Sequence, residues 1–161
     1  MIELLEPLKR YDWGGERASL YGIDLAIQEA QGDPARLAEI EQGLFEVLQS
    51  TAPLPAKEYA CRQLALMGSA ACVPALSGLL ANPELLDRAL FALQAIPDTA
   101  AANALRESLN TATGVARIGI VNALGERRDK DALPALNALA SDPDPALAGA
   151  VASALRKIGV A

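Results

Sequence analysis

Residues 127–136 read RRDKDALPAL. A run of charges leads straight into an apolar segment, and the same ten-residue slot recurs upstream as MGSAACVPAL at 67–76 and IPDTAAANAL at 96–105. Leucines set the slots. Leu64, Leu93, Leu124 and Leu155 stand 29, 31 and 31 residues apart, and twelve residues after the first three come Leu76, Leu105 and Leu136. Eleven residues before the last three come Asn82, Thr113 and Asp144, followed by Pro83, Gly114 and Pro145. Side-chain oxygens of Asn, Thr and Asp satisfy the free N–H groups of a helix's first turn, and Pro at the next position has its φ already set. Registers that agree independently make a repeat, not an accident of composition. RRDKD is therefore the corner between two helices of one unit, with no residues inserted. Asp129 is predicted to cap the helix that follows. Arg127 falls where Met67, Ile96 and Ile158 are apolar. That placement predicts an aliphatic stem laid on the core with the guanidinium in water. Arg127, Arg128 and Lys130 also form a secondary candidate contact for an anion or an acidic partner.

Working outward, the 161 residues suffice for one domain with a sizeable core. The chain is 52% hydrophobic but only 4% aromatic, with Ala and Leu dominant. Strong helix formers without the β-branched and aromatic residues of strands predict an all-α protein. Each unit reads as two helices of about 10–14 residues. One runs from Asn82 to Ile96, turns at Pro97-Asp98 and continues from Thr99 to Leu109. A single pair cannot bury both its faces, so the units must stack.

Residues 1–50 do not keep this register. Short helices are predicted over Ile2–Lys9 and Arg17–Ala30, and Asp33-Pro34 opens a third that carries Leu37, Ile40, Leu44, Val47 and Leu48. Residues 1–55 hold ten acids against four bases, the whole of the net charge of −6. A polar, atypical segment at the end of a stack reads as a cap. The expectation is one solenoid domain over 1–161, with capping helices in 1–50 and repeats in 51–161. Tyr11, Trp13 and Tyr21 cluster near Gly14-Gly15. They are expected to form an aromatic plug at the start of the cap. Trp13 doubles as a secondary candidate for peptide docking.

The text of residues 51–161 resembles the HEAT-repeat superfamily, in particular the short-period HEAT-like repeats of phycobilisome lyase-type proteins. The residues that carry the likeness are Ala154-Leu155-Arg156-Lys157-Ile158-Gly159, Leu124-Gly125, Met67-Gly68, the two Pro-Ala-Leu triplets at 74–76 and 134–136, and Ser141-Asp142-Pro143-Asp144-Pro145. The resemblance implies a right-handed α-solenoid whose first helices line the inner, concave face. On that face, two residues before each leucine, stand Arg62, Phe91, Asn122 and Ser153. One turn earlier stand Tyr59 and Arg88. Aromatic residues and Arg together are the kind of set that anchors interfaces. Tyr59, Arg62, Arg88, Phe91 and Asn122 are thus the candidate partner-binding residues.

The chemistry that is missing narrows the function. The chain has no histidine. Triads, Cys-His nucleophiles and His-based metal sites are thereby excluded. No Cys-x-x-Cys and no Gly-rich phosphate loop occurs. Glu39, Glu41 and Glu46 share one helix and read as a solvated face. Cys61 and Cys72 read as small buried hydrophobes, offset too far along their helices for a relaxed disulfide. No basic domain exists to hold nucleic acid, since residues 56–161 carry ten bases and ten acids. The uncharged run between Arg62 and Glu84 is broken by Gly68-Ser69 and Pro74 and reads as two short helices, not a membrane span. The expectation is a cytoplasmic, non-catalytic scaffold without cofactor, holding a protein or peptide on the concave face. The alternatives are a subunit of a lyase-like enzyme handling a bound pigment or small molecule, and a nucleic-acid-binding HEAT-like protein.

Overall fold

The computed structural model describes residues 2–159. Every regular element among them is helical: α1 (Ile2–Leu5), α2 (Ala18–Glu29), α3 (Pro34–Gln49), α4 (Leu54–Met67), α5 (Val73–Gly78), α6 (Leu86–Ala95), α7 (Thr99–Leu109), α8 (Gly114–Glu126), α9 (Leu133–Leu139) and α10 (Pro145–Ile158). Short 3₁₀ turns at Ala70–Cys72 and Lys130–Ala132 lead into α5 and α9. The helices α4, α6, α8 and α10 pack in that order, each on the next. A second layer lies behind them: α5 contacts α6 and α7, α7 contacts α6 and α8, and α9 contacts α10. The fold is an all-α solenoid. At the N-terminal end α3 packs on α4, and α1 on α2.

The repeat leucines lie where their register requires. Leu64, Leu93 and Leu124 are buried, as are Leu76, Leu105 and Leu136. The core they build is continuous from Leu5 to Ile158, crossing every unit boundary. Leu155, the fourth in the series, is only partly buried at the outer side of α10.

The helix starts follow the sequence reading unevenly. Asp144 caps α10 by accepting from Ala146 N–H at 2.9 Å, and Asp33 caps α3 by accepting from Arg36 N–H at 3.1 Å. Asn82 accepts from Glu84 N–H at 2.9 Å, but it closes a turn and α6 begins only at Leu86. Thr113 precedes α8 without a side-chain capping bond. The next residue, Gly114, has φ +52. A left-handed first position departs from the helical geometry that a capping side chain needs.

One close approach sets the spacing of the last two first-layer helices. A Cβ on Gly125 would lie 2.7 Å from Cα of Ala154. α8 and α10 therefore meet backbone to backbone at Gly125, where no larger residue fits.

The corner at RRDKD resolves into two backbone devices. Arg127 does not hold its head in water. Its guanidinium donates to the carbonyls of Leu93 at 2.8 Å, Gln94 at 3.1 Å and Asp98 at 2.9 Å, and to that of Ile96. These carbonyls lie at and just beyond the end of α6, where the last C=O groups of a helix lack internal partners. A cation there also complements the negative end of the helix dipole. Desolvation by burial pushes the Arg127 pKa below its ordinary value. Arg128 has φ 52. Its N–H bonds Gly125 O at 3.0 Å and the Asp129 N–H bonds Leu124 O at 3.1 Å. The paired pattern is a Schellman motif, with Arg128 at the position usually given to Gly. Asp129 accepts from Asp131 N–H at 3.2 Å, as its capping role predicts, and pairs with Arg106 of α7.

Glu41 departs furthest from its sequence reading. It is 7% exposed, not part of a solvated face. Its carboxylate accepts from Ser69 N–H at 2.6 Å and from Ser69 Oγ at 2.9 Å. It thus pins α3 to the corner between α4 and α5. Glu39 and Glu46, on the same helix, are exposed as predicted.

Candidate functional site

The site forms where α2 crosses the start of α4. Tyr59 Oη donates to Leu20 O at 3.1 Å and to Asp24 Oδ1 at 2.7 Å. Gln63 Nε2 donates to the same carboxylate oxygen at 2.9 Å. Tyr59 is consequently 3% exposed, and it is not the surface anchor the sequence suggested. The cause is α2, which covers this face of α4; the pairing joins residues 39 apart and leaves no local signature. Burial, and then the Asp24 carboxylate, push the Tyr59 phenol above its ordinary pKa. It stays a proton donor, which keeps Asp24 engaged.

Beside this network lies a cavity of about 330 Å³. It is near the lower end of the range for ligand pockets, ~300–1,000 Å³. Trp13 and Tyr21 border it from the N-terminal side, and Arg17, Arg62 and Arg88 bring guanidinium groups to its rim. The carboxylates at its edge are Asp24 and Glu58. The Arg62 guanidinium carbon lies 5.1 Å from the centre of the Tyr59 ring. That is cation–π range. Arg88 Nε stands 3.4 Å from Glu58 Oε1.

The predicted aromatic plug does not form. Trp13 is 74% exposed and Tyr21 78%. The chain makes a tight turn just before α2: Gly15 N–H bonds Asp12 O at 2.9 Å, Trp13 N–H bonds Asp12 Oδ1 at 2.8 Å, and Gly14 has φ +81. This turn leaves Trp13 outside the core, and Tyr21 stays on the open side of α2. Tyr11 alone of the cluster packs against the core, partly buried.

Of the other predicted residues, Arg62 and Arg88 line the cavity. Phe91 follows Arg88 by one turn on α6 and is 54% exposed. Asn122 is exposed on α8, beyond Phe91 and away from the cavity. Arg127 is engaged on the α6 carbonyls, so it is not available to a partner. Arg128 and Lys130 are exposed at that corner, distant in the fold from the cavity. The sequence reading missed Arg17 and Asp24. Arg17 and Tyr21 are four apart at the start of α2, hence on one face, and that spacing was the signal available.

A second, larger cavity of about 530 Å³ lies between the units, bordered by Leu80, Leu86, Val115 and Ile120 with hydroxyls of Ser77, Ser108, Thr111 and Thr113. No titratable side chain lines it. Cys61 and Cys72 are unpaired and buried, and burial pushes each thiol up to about 12. At neutral pH neither is a nucleophile. Among the described residues no group of His, Cys, Asp and Glu could hold a metal ion, and no helix is long and apolar enough to cross a membrane.

Comparison with known families follows the helix pairs. Residues 85–111, which span α6 and α7, match the family model described as PBS lyase HEAT-like repeat. Residues 113–161, from the start of α8, match the model described as HEAT repeats. No curated protein and no solved structure matches the chain.

Proposed function

We propose that this chain, which is a HEAT-like repeat protein, is a non-catalytic scaffold that holds a peptide segment of a partner protein in the groove between α2, α4 and α6. One observation carries the reading: two large aromatic side chains, Trp13 and Tyr21, stand exposed beside a cavity rimmed by Arg17, Arg62 and Arg88. Exposed Trp and Tyr are uncommon in a core-forming chain that is only 4% aromatic. Together with Arg they are the residues enriched at binding hot spots. Phe91 extends the same surface along α6. The chain lacks histidine, and its larger cavity lacks any acid, base or nucleophile with a depressed pKa; both favour binding over catalysis. The net charge of −6 and the absence of a basic domain favour protein over nucleic acid as partner. The two buried, unpaired thiols suit a reducing compartment such as the cytoplasm.

The test is selection of a displayed peptide library on the full chain, followed by titration of the enriched peptides. Enriched peptides are expected to bind the wild type and to lose at least ~10-fold in affinity for Trp13→Ala/Tyr21→Ala, a loss of about 1.4 kcal/mol or more. Both side chains are exposed, so the fold is expected to survive, which circular dichroism checks. Tyr59→Ala is unsuitable here because it removes a buried hydrogen-bond network. Failure to enrich any sequence, or equal binding to the double variant, overturns the assignment.

A further inference from the structure

We infer that the segment held in this groove presents an Asp or Glu side chain to Arg17 and Arg62, next to an aromatic or aliphatic residue received by Trp13 and Tyr21. The inference rests on the binding reading above and names the chemistry of its ligand.

The groove is locally cationic in an acidic protein. Three guanidinium groups and two carboxylates line it, while the chain as a whole carries −6. The charges are not equally free. Asp24 Oδ1 already accepts from Tyr59 Oη and Gln63 Nε2, and Arg88 is paired with Glu58. Among the described residues, Arg17 and Arg62 have no carboxylate partner. Arg106 and Arg127, by contrast, have partners supplied by the fold. Arg62 is moreover within cation–π range of the Tyr59 ring. A guanidinium already restricted by such a contact loses less entropy when its fork takes a carboxylate. The pair left open thus asks for an anion.

The neighbouring charges select which anion. The Asp24 carboxylate stands beside the site, where it accepts from the neutral donors Tyr59 and Gln63. Two open guanidinium groups next to a standing carboxylate match a monoanion, and a dianionic phosphate meets extra repulsion there. The carboxylate is assigned to a side chain and not a chain terminus because apolar surface flanks the arginines: Phe91, one turn beyond Arg88 on α6, is exposed outside the cavity. Trp13 and Tyr21 on the opposite side offer an apolar wall for the adjoining residue.

Trp13 is the one tryptophan of the chain, so its fluorescence reports on this groove alone. The experiment titrates the full chain with four short blocked peptides that differ only in their central pair: Glu-Phe, Gln-Phe, Lys-Phe and phosphoserine-Phe. Expected is a saturable change in Trp13 emission with Glu-Phe, at an affinity about tenfold above Gln-Phe, with Lys-Phe weaker still. The advantage of Glu over Gln should shrink as salt rises from 50 to 500 mM. It should vanish in Arg62→Gln and fall in Arg17→Gln, two exposed positions whose change leaves the core intact. Equal affinity for Glu-Phe and Gln-Phe overturns the inference while leaving peptide binding in place. A preference for phosphoserine-Phe overturns the choice of a monoanion. Silence from all four peptides, when library selection has returned binders, also overturns it. A library that returns no binders removes the binding reading itself.

Discussion

At the scale of single residues, Arg127 and Arg128 are adjacent in sequence and opposite in consequence. Arg127 supplies hydrogen bonds to four carbonyls around the end of α6, across a boundary between units. Hydrogen bonds from a charged donor contribute about 1.5–3 kcal/mol net, and the carbonyls left behind are partly buried. Arg127→Ala should therefore destabilise the fold by about 2–3 kcal/mol. Arg128 sits at φ 52 with its side chain exposed. A non-glycine residue there costs about 1–2 kcal/mol. Arg128→Gly should raise stability by about 1 kcal/mol, less than that cost because glycine also loses more chain entropy on folding. Urea denaturation of the two variants beside the wild type checks both signs. If both variants shift the midpoint in the same direction, the geometry of this corner has been misread. Arg127 also shows a limit of reading residue types. Its apolar slot was legible, but whether its head meets water or carbonyls depended on a helix end more than thirty residues away.

At the scale of helices, first-layer contacts are governed by small residues as much as by leucines. Gly125 stands against Ala154 at backbone distance. Gly125→Ala must push α8 and α10 apart, since the obstructing atom is a Cα and not the flexible end of a side chain. Overpacking of this kind typically costs about 1–3 kcal/mol. The expected outcome is a loss of that size in chemical denaturation. A neutral result, within about 0.5 kcal/mol, would mean that the two helices can separate freely. α2 teaches the complementary lesson. Its apolar positions Ile23, Ala26, Ile27 and Ala30 follow helical spacing and are buried, as the sequence predicts. Its partner was not legible. Tyr59 looked like a free aromatic on α4 because nothing local marks that Asp24 and Leu20 will lie over it.

At the scale of the whole molecule, the continuous core makes buried protons a shared property of the stack. Burial holds the thiols of Cys61 and Cys72 at about 12. An unfolded cysteine ionises near 8.5. A raised folded pKa means stability fully present below the unfolded value and lost as pH climbs toward the folded one. Tyr59, also raised, adds to the loss above its ordinary value near 10. In reducing buffer, stability at pH 10.5 should be lower than at pH 8 by roughly 5 kcal/mol, about half from each thiol. Cys61→Ala/Cys72→Ala should show a smaller drop. A thiol reagent at pH 8 should label neither cysteine until denaturant is added, and rapid labelling of the folded chain would contradict the burial. Across these scales the division of labour is clear. The helical class, the 29–31-residue register, the buried leucines and the corners were legible in the residue order alone, because each rests on helical periodicity and turn chemistry within a few neighbouring residues. The rest came from the packed fold: Glu41 holding Ser69, Tyr59 closed under α2, Arg127 drawn onto α6, and Arg17 and Arg62 brought to one cavity. Those outcomes pair groups 28 to 39 residues apart, or on different units, and a polar side chain takes whichever partner the packed helices bring within reach.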